Sequence, residues 1–215
     1  MDKFDIILTS WNRFEFLKRT IGSLVDSGAI NDCERFIIVD SGSTEEGVIE
    51  FLKQIQDQYG AFLVLKPHNH GWGAATNDGL GLSRAPYLLR VDNDVEFEHD
   101  FHRTMLDIFA HQKNIGLLGV WKHIYHGLTN MTVGKDGQKR FGIQNEWFRE
   151  TDDVPGVGWM MPKAAMEKCG MFPEHGVCLT KGGNGEDSAY VQKMKQAGFL
   201  TGVPVKDVAV HITGY

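Results

Sequence analysis

Short apolar runs at Phe4 to Leu8, Phe36 to Val39, Phe62 to Leu65 and Tyr87 to Val91 punctuate the first half of the chain, with amphipathic stretches between them. Runs of this length bounded by polar residues read as buried strands. Leu17, Ile21, Leu24 and Val25 recur with helical period, and Val48, Phe51, Leu52 and Ile55 form a second stripe. Each stripe predicts a helix with one buried face. Strands alternating with helices imply an α/β fold whose central sheet is mainly parallel and flanked by helices. In such sheets ligands bind beyond the carboxyl ends of the strands. The residues there are Thr9 to Asn12, Asp40 to Ser43, His68 to Gly73, and Asp92 to Asp94, a strongly polar set.

The second half is less regular. Phe101, Met105, Ile108 and Phe109 predict a helix over about 100–111, and Ile115 to Trp121 reads as a strand. Gly134 to Gly137, between Met131 to Val133 and Phe141 to Ile143, suggest a hairpin. Pro162 at the first position and Gly170 at the end mark a short helix. A glycine-rich loop, Gly182 to Gly185, leads into a helix from Glu186 to Ala197 closed by Gly198. Val208 to Ile212 reads as a last strand.

Composition narrows the class. With 215 residues, 42% hydrophobic and 23% charged, the chain suits one ordinary globular domain and excludes disorder as the main state. A net charge of −6 without a Lys/Arg block argues against a partner held by charge, such as nucleic acid. The apolar run near the N-terminus is too short for a signal sequence or a membrane span. Cys33, Cys169 and Cys178 are odd in number and lack framework spacing, which predicts reduced thiols in the cytoplasm.

Chemistry is suggested first by Asp92-Asn93-Asp94, because two carboxylates one residue apart point the same way from an extended chain. They repel unless a cation joins them. Hard oxygen ligands suit Mg²⁺ or Mn²⁺, ions that complete their shell with substrate phosphates. Asp40 could accept from a base or a ribose, or simply cap the helix that follows, with Thr44 as cap and Glu45 and Glu46 in the first turn. Glu186 and Asp187 sit at a helix start, where they are either a favourable terminus or a general base behind a loop. His211 follows Val208 to Val210 and is a satisfied core histidine or a ligand. Gly71, Gly73 and Thr76 imitate a dinucleotide fingerprint, but Thr76 takes the third glycine's place and the run follows the third strand. His68 with His70, His123 with His126, and Cys169, His175 and Cys178 do not supply a four-ligand zinc set.

Together these segments resemble family 2 glycosyltransferases of the GT-A fold over nearly the whole chain. DIILTSWNRFEFLKRTIGSL resembles the family's first strand, turn and helix, FIIVDSGST its nucleotide-binding strand end, and HGWGAATNDGL with YLLRVDND the glycine–asparagine helix leading into the D-x-D. VPGVGWMMPKAAMEKCGMFPE is similar to the acceptor-side segment, NGEDSAYVQKMKQAGF to the helix bearing the base, and VAVHITG to the strand with a metal-ligand histidine. The resemblance implies one GT-A domain over 1–215, with a nucleotide-sugar half at 1–99 and an acceptor half at 100–215. It implies inverting, metal-dependent transfer of a hexose from a nucleotide diphosphate sugar, a UDP-sugar, to an acceptor hydroxyl of unspecified class.

Residue by residue, the resemblance assigns Asp40 to the base and ribose, with Thr9 and Asn12 nearby, and Gly71 and Asn77 to the donor side. Asp92 would face the ribose or metal, while Asp94 and His211 would bind Mn²⁺ or Mg²⁺. Asp187 becomes the catalytic base with Glu186 beside it, and Trp159 with Gly158 lines the sugar pocket. Two departures stand out: Thr76 precedes Asn77 where members often carry Arg, and VDSGST lacks a second acidic residue. Arg13, Arg84 and Arg90 are the candidate compensating cations. The sequence ends four residues after His211, which implies a minimal enzyme or a trimmed chain. The rival readings are a nucleotidyltransferase on the same D-x-D, a non-catalytic sugar-nucleotide-binding module, and a dehydrogenase.

Overall fold

The structure, a computed structural model, describes residues 2–120, 131–133, 139–152, 154–173 and 186–212. In chain order the first half runs β1 (Phe4–Ser10), α1 (Phe14–Asp26), α2 (Ala29–Asp32), β2 (Arg35–Asp40), α3 (Val48–Tyr59), β3 (Phe62–Leu65), α4 (Trp72–Leu82) and β4 (Tyr87–Asp92). The second runs β5 (Val95–Phe97), α5 (Phe101–His111), β6 (Ile115–Gly119), β7 (Met131–Val133), β8 (Lys139–Phe141), β9 (Phe148–Glu150), β10 (Gly158–Pro162), α6 (Lys163–Cys169), α7 (Glu186–Gln196), β11 (Leu200–Pro204) and β12 (Ala209–His211).

Eight strands form the main sheet in the order β3-β2-β1-β4-β10-β6-β11-β9. The first four are parallel, β10 runs antiparallel to both β4 and β6, and β11 returns parallel to β6. Successive residues alternate between the faces of the sheet. Ile6, Leu8, Ile38, Leu89 and Met160 enter one buried cluster, while Ile7, Ile37, Leu88, Trp159 and Met161 enter the other. Burial on both faces is why these strands read as nearly continuous apolar runs, broken by the buried Asp5 and Arg90. The sheet crosses from the first half of the chain to the second through β4 and β10, so the halves share one layer.

Glycine sets how closely α4 lies on the sheet. A Cβ on Gly79 would stand 2.5 Å from Ile7 Cγ2, and one on Gly73 would stand 2.0 Å from the Pro173 carbonyl oxygen. The glycines that weaken this helix intrinsically are the ones that let it approach.

Several boundaries differ from the sequence reading. The helix after β2 begins at Val48 behind Gly47, not at Thr44, because Asn12 Oδ1 accepts the Thr44 and Glu45 amides at 2.8 and 3.1 Å. Pro162 caps α6 from outside, and the strand expected to reach Trp121 ends at Gly119. The hairpin pairs Met131–Val133 with Lys139–Phe141, two residues before the expected second strand. His123, His126, His175, Cys178, Gly134 to Gly137 and the loop Gly182 to Gly185 lie outside the described residues. No helix among the described residues is long and apolar enough to cross a membrane.

Candidate active site

A pocket of about 350 Å³ opens at the carboxyl ends of β1, β2 and β4, lined among others by Thr9, Trp11, Ser41, Gly71, Asp92 and Asp94. This is where the crevice of an open α/β sheet belongs. The N-terminus of α4 faces the same space. Gly71 (φ 86) turns the chain into that helix and donates to Asn69 Oδ1 at 2.7 Å. The first-turn amides behind it form a positive end suited to an anion.

Arg90 lies in the middle of apolar β4 and is 1% exposed. A buried guanidinium requires partners, and it has them. Nη2 donates to Asp92 Oδ1 and, at 3.3 Å, to Thr9 Oγ1, while Nη1 donates to the Gly156 carbonyl. Its plane lies over the Trp72 ring at 4.5 Å. Thr9 Oγ1 donates to Asp92 Oδ1 at 3.0 Å. Burial, with the Asp94 charge added, pushes the Asp92 carboxyl above its ordinary range, and the Arg90 guanidinium opposes that rise. With 31% of its side chain facing the pocket, Asp92 stays within reach of a ligand. A cation placed at Asp94 would relieve the repulsion between the two acids.

Asp94 is 4% exposed and sits at the turn between β4 and β5. β12 pairs antiparallel with β5, setting His211 opposite Val95, and the Ile212 amide donates to the Asp94 carbonyl at 2.9 Å. That pairing brings a residue from the end of the chain to the D-x-D. His211 Nε2 stands 3.3 Å from Asp94 Oδ2, and Arg13 Nη1 donates to the same oxygen. Asp94 Oδ1 is buried and has no hydrogen-bond partner among the described residues. A carboxylate with one oxygen unsatisfied beside an imidazole fits half a shell for Mg²⁺ or Mn²⁺, the rest coming from phosphate and water. Among the described residues no group of three or more His, Cys, Asp or Glu side chains could hold an ion without such help.

Asn12 (φ 52) and Arg13 (φ 57) are both left-handed, a conformation that costs a non-glycine residue roughly 1 kcal/mol or more. The turn is held from three sides. Asn12 caps the Thr44 and Glu45 amides, its own amide donates to Ser43 Oγ at 2.7 Å, and Asn93 Nδ2 donates to its carbonyl at 2.9 Å.

Asp187 lies in the first turn of α7, which Tyr190, Val191 and Met194 anchor in the core at 0% exposure. A Cβ on Gly156 would stand 2.5 Å from Asp187 Oδ2, so the carboxylate packs on the glycine whose carbonyl takes Arg90. Glu186 precedes it as the first residue of the helix.

Other residues expected at the donor are buried behind the pocket. Asn77 is fully engaged with the Phe172 backbone, donating to its carbonyl and accepting from its amide, both at 3.0 Å. Trp159, at 0% exposure, donates to the Pro155 carbonyl at 2.7 Å and stacks on Phe172 and Tyr190. A Cβ on Gly158 would meet Val120 Cγ2 at 2.6 Å. Trp159 belongs to the second buried cluster, Gly158 packs on Val120 of the first, and Asn77 is held by a buried backbone partner, so the three lie behind the residues that line the pocket. Asp40 is also fully buried, accepting from the Ser43 amide and hydroxyl at 2.8 and 2.5 Å, and it reaches the pocket through the loop it shapes. Asn77→Ala should therefore lower the unfolding free energy by about 2–4 kcal/mol, since it strands two buried backbone groups. Urea denaturation checks this, and a loss under about 0.5 kcal/mol would remove the stapling role.

Arg90, Arg13 and Gly156 were not singled out as one site by the sequence. A charge inside the apolar run YLLRVD was the available signal for Arg90.

The profile of glycosyl transferase family 2 matches residues 5–170. It ends before α7 and β12, so Asp187 and His211 rest on geometry. Poly(ribitol-phosphate) beta-N-acetylglucosaminyltransferase TarP of Staphylococcus aureus (strain N315) is 26% identical over 170 residues, covering 78% of this chain and 42% of TarP. This chain thus spans less than half of that relative. The crystal structure of S. aureus TarS 1-349 in complex with UDP-GlcNAc superposes with a TM-score of 0.71 at 14% identity, covering 99% of this chain and 59% of that one. GalNAc-T7 with UDP, GalNAc and Mn²⁺ gives a TM-score of 0.76 at 11% identity, covering 100% and 44%. At such identities the likeness shows the fold, and the architecture is the GT-A fold.

Proposed function

The chain belongs to glycosyl transferase family 2, and from that premise we propose that it moves a hexose from a UDP-sugar to an acceptor hydroxyl with inversion at the anomeric carbon. The observation that carries this reading is the approach of His211 to Asp94, which lines the pocket with Asp92. The complexes of TarS with UDP and with UDP-GlcNAc support UDP-GlcNAc as the first donor to test. Residues 1–99 carry the donor side in this account, residues 100–215 the acceptor side, and the setting is cytoplasmic.

Asp94 and His211 would hold a divalent cation, which supplies charge stabilisation to a departing diphosphate. Mn²⁺ in the GalNAc-T7 structure supports that choice. Arg90 and Thr9 hold the Asp92 carboxylate toward the pocket, where it can accept from a ribose hydroxyl. The acceptor oxygen forms its bond to the anomeric carbon as the bond from that carbon to the diphosphate breaks. UDP leaves, and Asp187 takes the acceptor's proton. No covalent sugar–enzyme intermediate is required, so inversion follows from a single displacement.

The test is product analysis with a panel of UDP-hexoses and UDP-N-acetylhexosamines in Mn²⁺. Release of UDP is expected; pyrophosphate formed in a parallel assay with UTP and a hexose 1-phosphate would mark a nucleotidyltransferase, and donor left intact would mark a binding module. A thermal-shift panel accompanies it. UDP with Mn²⁺ should stabilise the protein by about 2.7 kcal/mol at a hundredfold excess over Kd, and NAD should not. Gly156→Ala tests the base from the backbone side. The added Cβ has to displace the Asp187 carboxylate, so kcat should fall by about 10²-fold while the melting temperature stays within a few degrees. Unchanged kcat in that variant would dissociate Asp187 from the chemistry.

A further inference from the structure

The carboxylate that the cation reading needs is already ion-paired. Arg13 Nη1 donates to Asp94 Oδ2, the oxygen that His211 Nε2 approaches to 3.3 Å. Oδ2 is the oxygen nearest His211, so an ion held between Asp94 and His211 would stand against the Arg13 guanidinium, where two positive charges repel. The backbone that aims Arg13 is fixed: it occupies a left-handed turn locked through Asn12 to Ser43, Thr44, Glu45 and Asn93. Its side chain is not fixed in the same way, being 52% exposed and part of the pocket lining. Arg90 offers the contrast, with 1% exposure and partners at both terminal nitrogens. Arg90 is thus a buried guanidinium behind the pocket, and Arg13 a half-exposed one in its lining.

We propose that Arg13 is an exchangeable counter-ion of Asp94: it neutralises the carboxylate until a divalent ion displaces it, and the released guanidinium then binds the donor's diphosphate. This rests on the cation-dependent reading above. Binding of the ion alone is opposed, because it breaks an ion pair and leaves a guanidinium beside a new positive charge. When UDP is present the guanidinium gains phosphate oxygens, which suit its planar fork. Ion and nucleotide therefore bind with positive coupling, and Arg13 carries that coupling in both directions.

The test measures Mn²⁺ binding by electron paramagnetic resonance, with and without saturating UDP and corrected for Mn²⁺–UDP in solution. The full chain is compared with its Arg13→Gln, Arg13→Lys and Asp94→Asn variants. The unsubstituted protein should bind Mn²⁺ about tenfold more tightly with UDP than without. Arg13→Gln should bind Mn²⁺ about tenfold more tightly than the unsubstituted protein without UDP, and should lose most of the gain that UDP confers. Arg13→Lys should fall between them, and it carries the comparison if Arg13→Gln does not fold. Equal Mn²⁺ affinity in the unsubstituted protein and Arg13→Gln, with the same UDP-dependent gain, overturns the proposal alone. Absence of Mn²⁺ binding to the unsubstituted protein, with and without UDP, overturns the cation reading and this proposal with it.

Discussion

Asp94→Asn should abolish Mn²⁺ binding to the free protein and cut sugar transfer by about 10³-fold or more, the scale of losing the main electrostatic partner of a developing charge. Asp94 is the carboxylate on which His211 and Arg13 converge, and its other oxygen is buried without a hydrogen-bond partner among the described residues. The amide is nearly isosteric, so packing around a residue that is 4% exposed is retained. Arg13 loses an ion pair but is half exposed and can return to water, which keeps the stability change small. The expected signature is thus kinetic, with UDP release collapsing while the melting temperature moves by only a few degrees. More than a tenth of the original turnover at saturating Mn²⁺ would contradict the assignment.

Asp187→Asn should lower kcat by about 10²–10⁴-fold, the usual worth of a positioned general base. Binding of UDP and Mn²⁺ should remain near that of the unsubstituted protein, because Asp187 packs on Gly156 and not on Asp94. α7 keeps its anchors in Tyr190, Val191 and Met194, so the helix survives the change. The two substitutions therefore separate the roles. Asp94→Asn removes ion binding and turnover together, whereas Asp187→Asn removes turnover alone. Unimpaired transfer by Asp187→Asn would strip that residue of its role.

Strands β1, β2 and β4 were legible because each is buried on both faces and so appears as a nearly continuous apolar run. Strand β3 is equally apolar, but it is the edge strand and leaves Phe62 and Leu65 exposed, so the expectation of a buried strand fails there. Helix α4 gave no apolar stripe, since the surface it presses on β1 and on Pro173 is made of Gly79 and Gly73. A glycine has no hydrophobic signal to count. Strand β12 lies within the run Val208 to Ile212, but its partner β5 is three residues, too short for periodicity to mark, and it is their pairing that delivers His211 to Asp94. The residue types of the site were readable from the pattern, and their meeting only from the family resemblance. Asn77 and Trp159 differ: the family resemblance put them at the donor, but their side chains hydrogen-bond to the buried backbone at Phe172 and to the Pro155 carbonyl. Thr44 has the composition of a cap, but Asn12 from the neighbouring loop takes its amide, and the helix starts later. Arg90 carried a usable signal, a charge inside a buried strand, whose meaning depended on finding Gly156 and Asp92 beside it.

The most direct measurement is UDP release from the UDP-sugar panel by protein stripped with a chelator and then supplied with Mn²⁺. The account predicts that stripping silences release, that Mn²⁺ restores it, and that His211→Ala blunts the restoration. Release at an undiminished rate after stripping, or full restoration in both Asp94→Asn and His211→Ala, would contradict it.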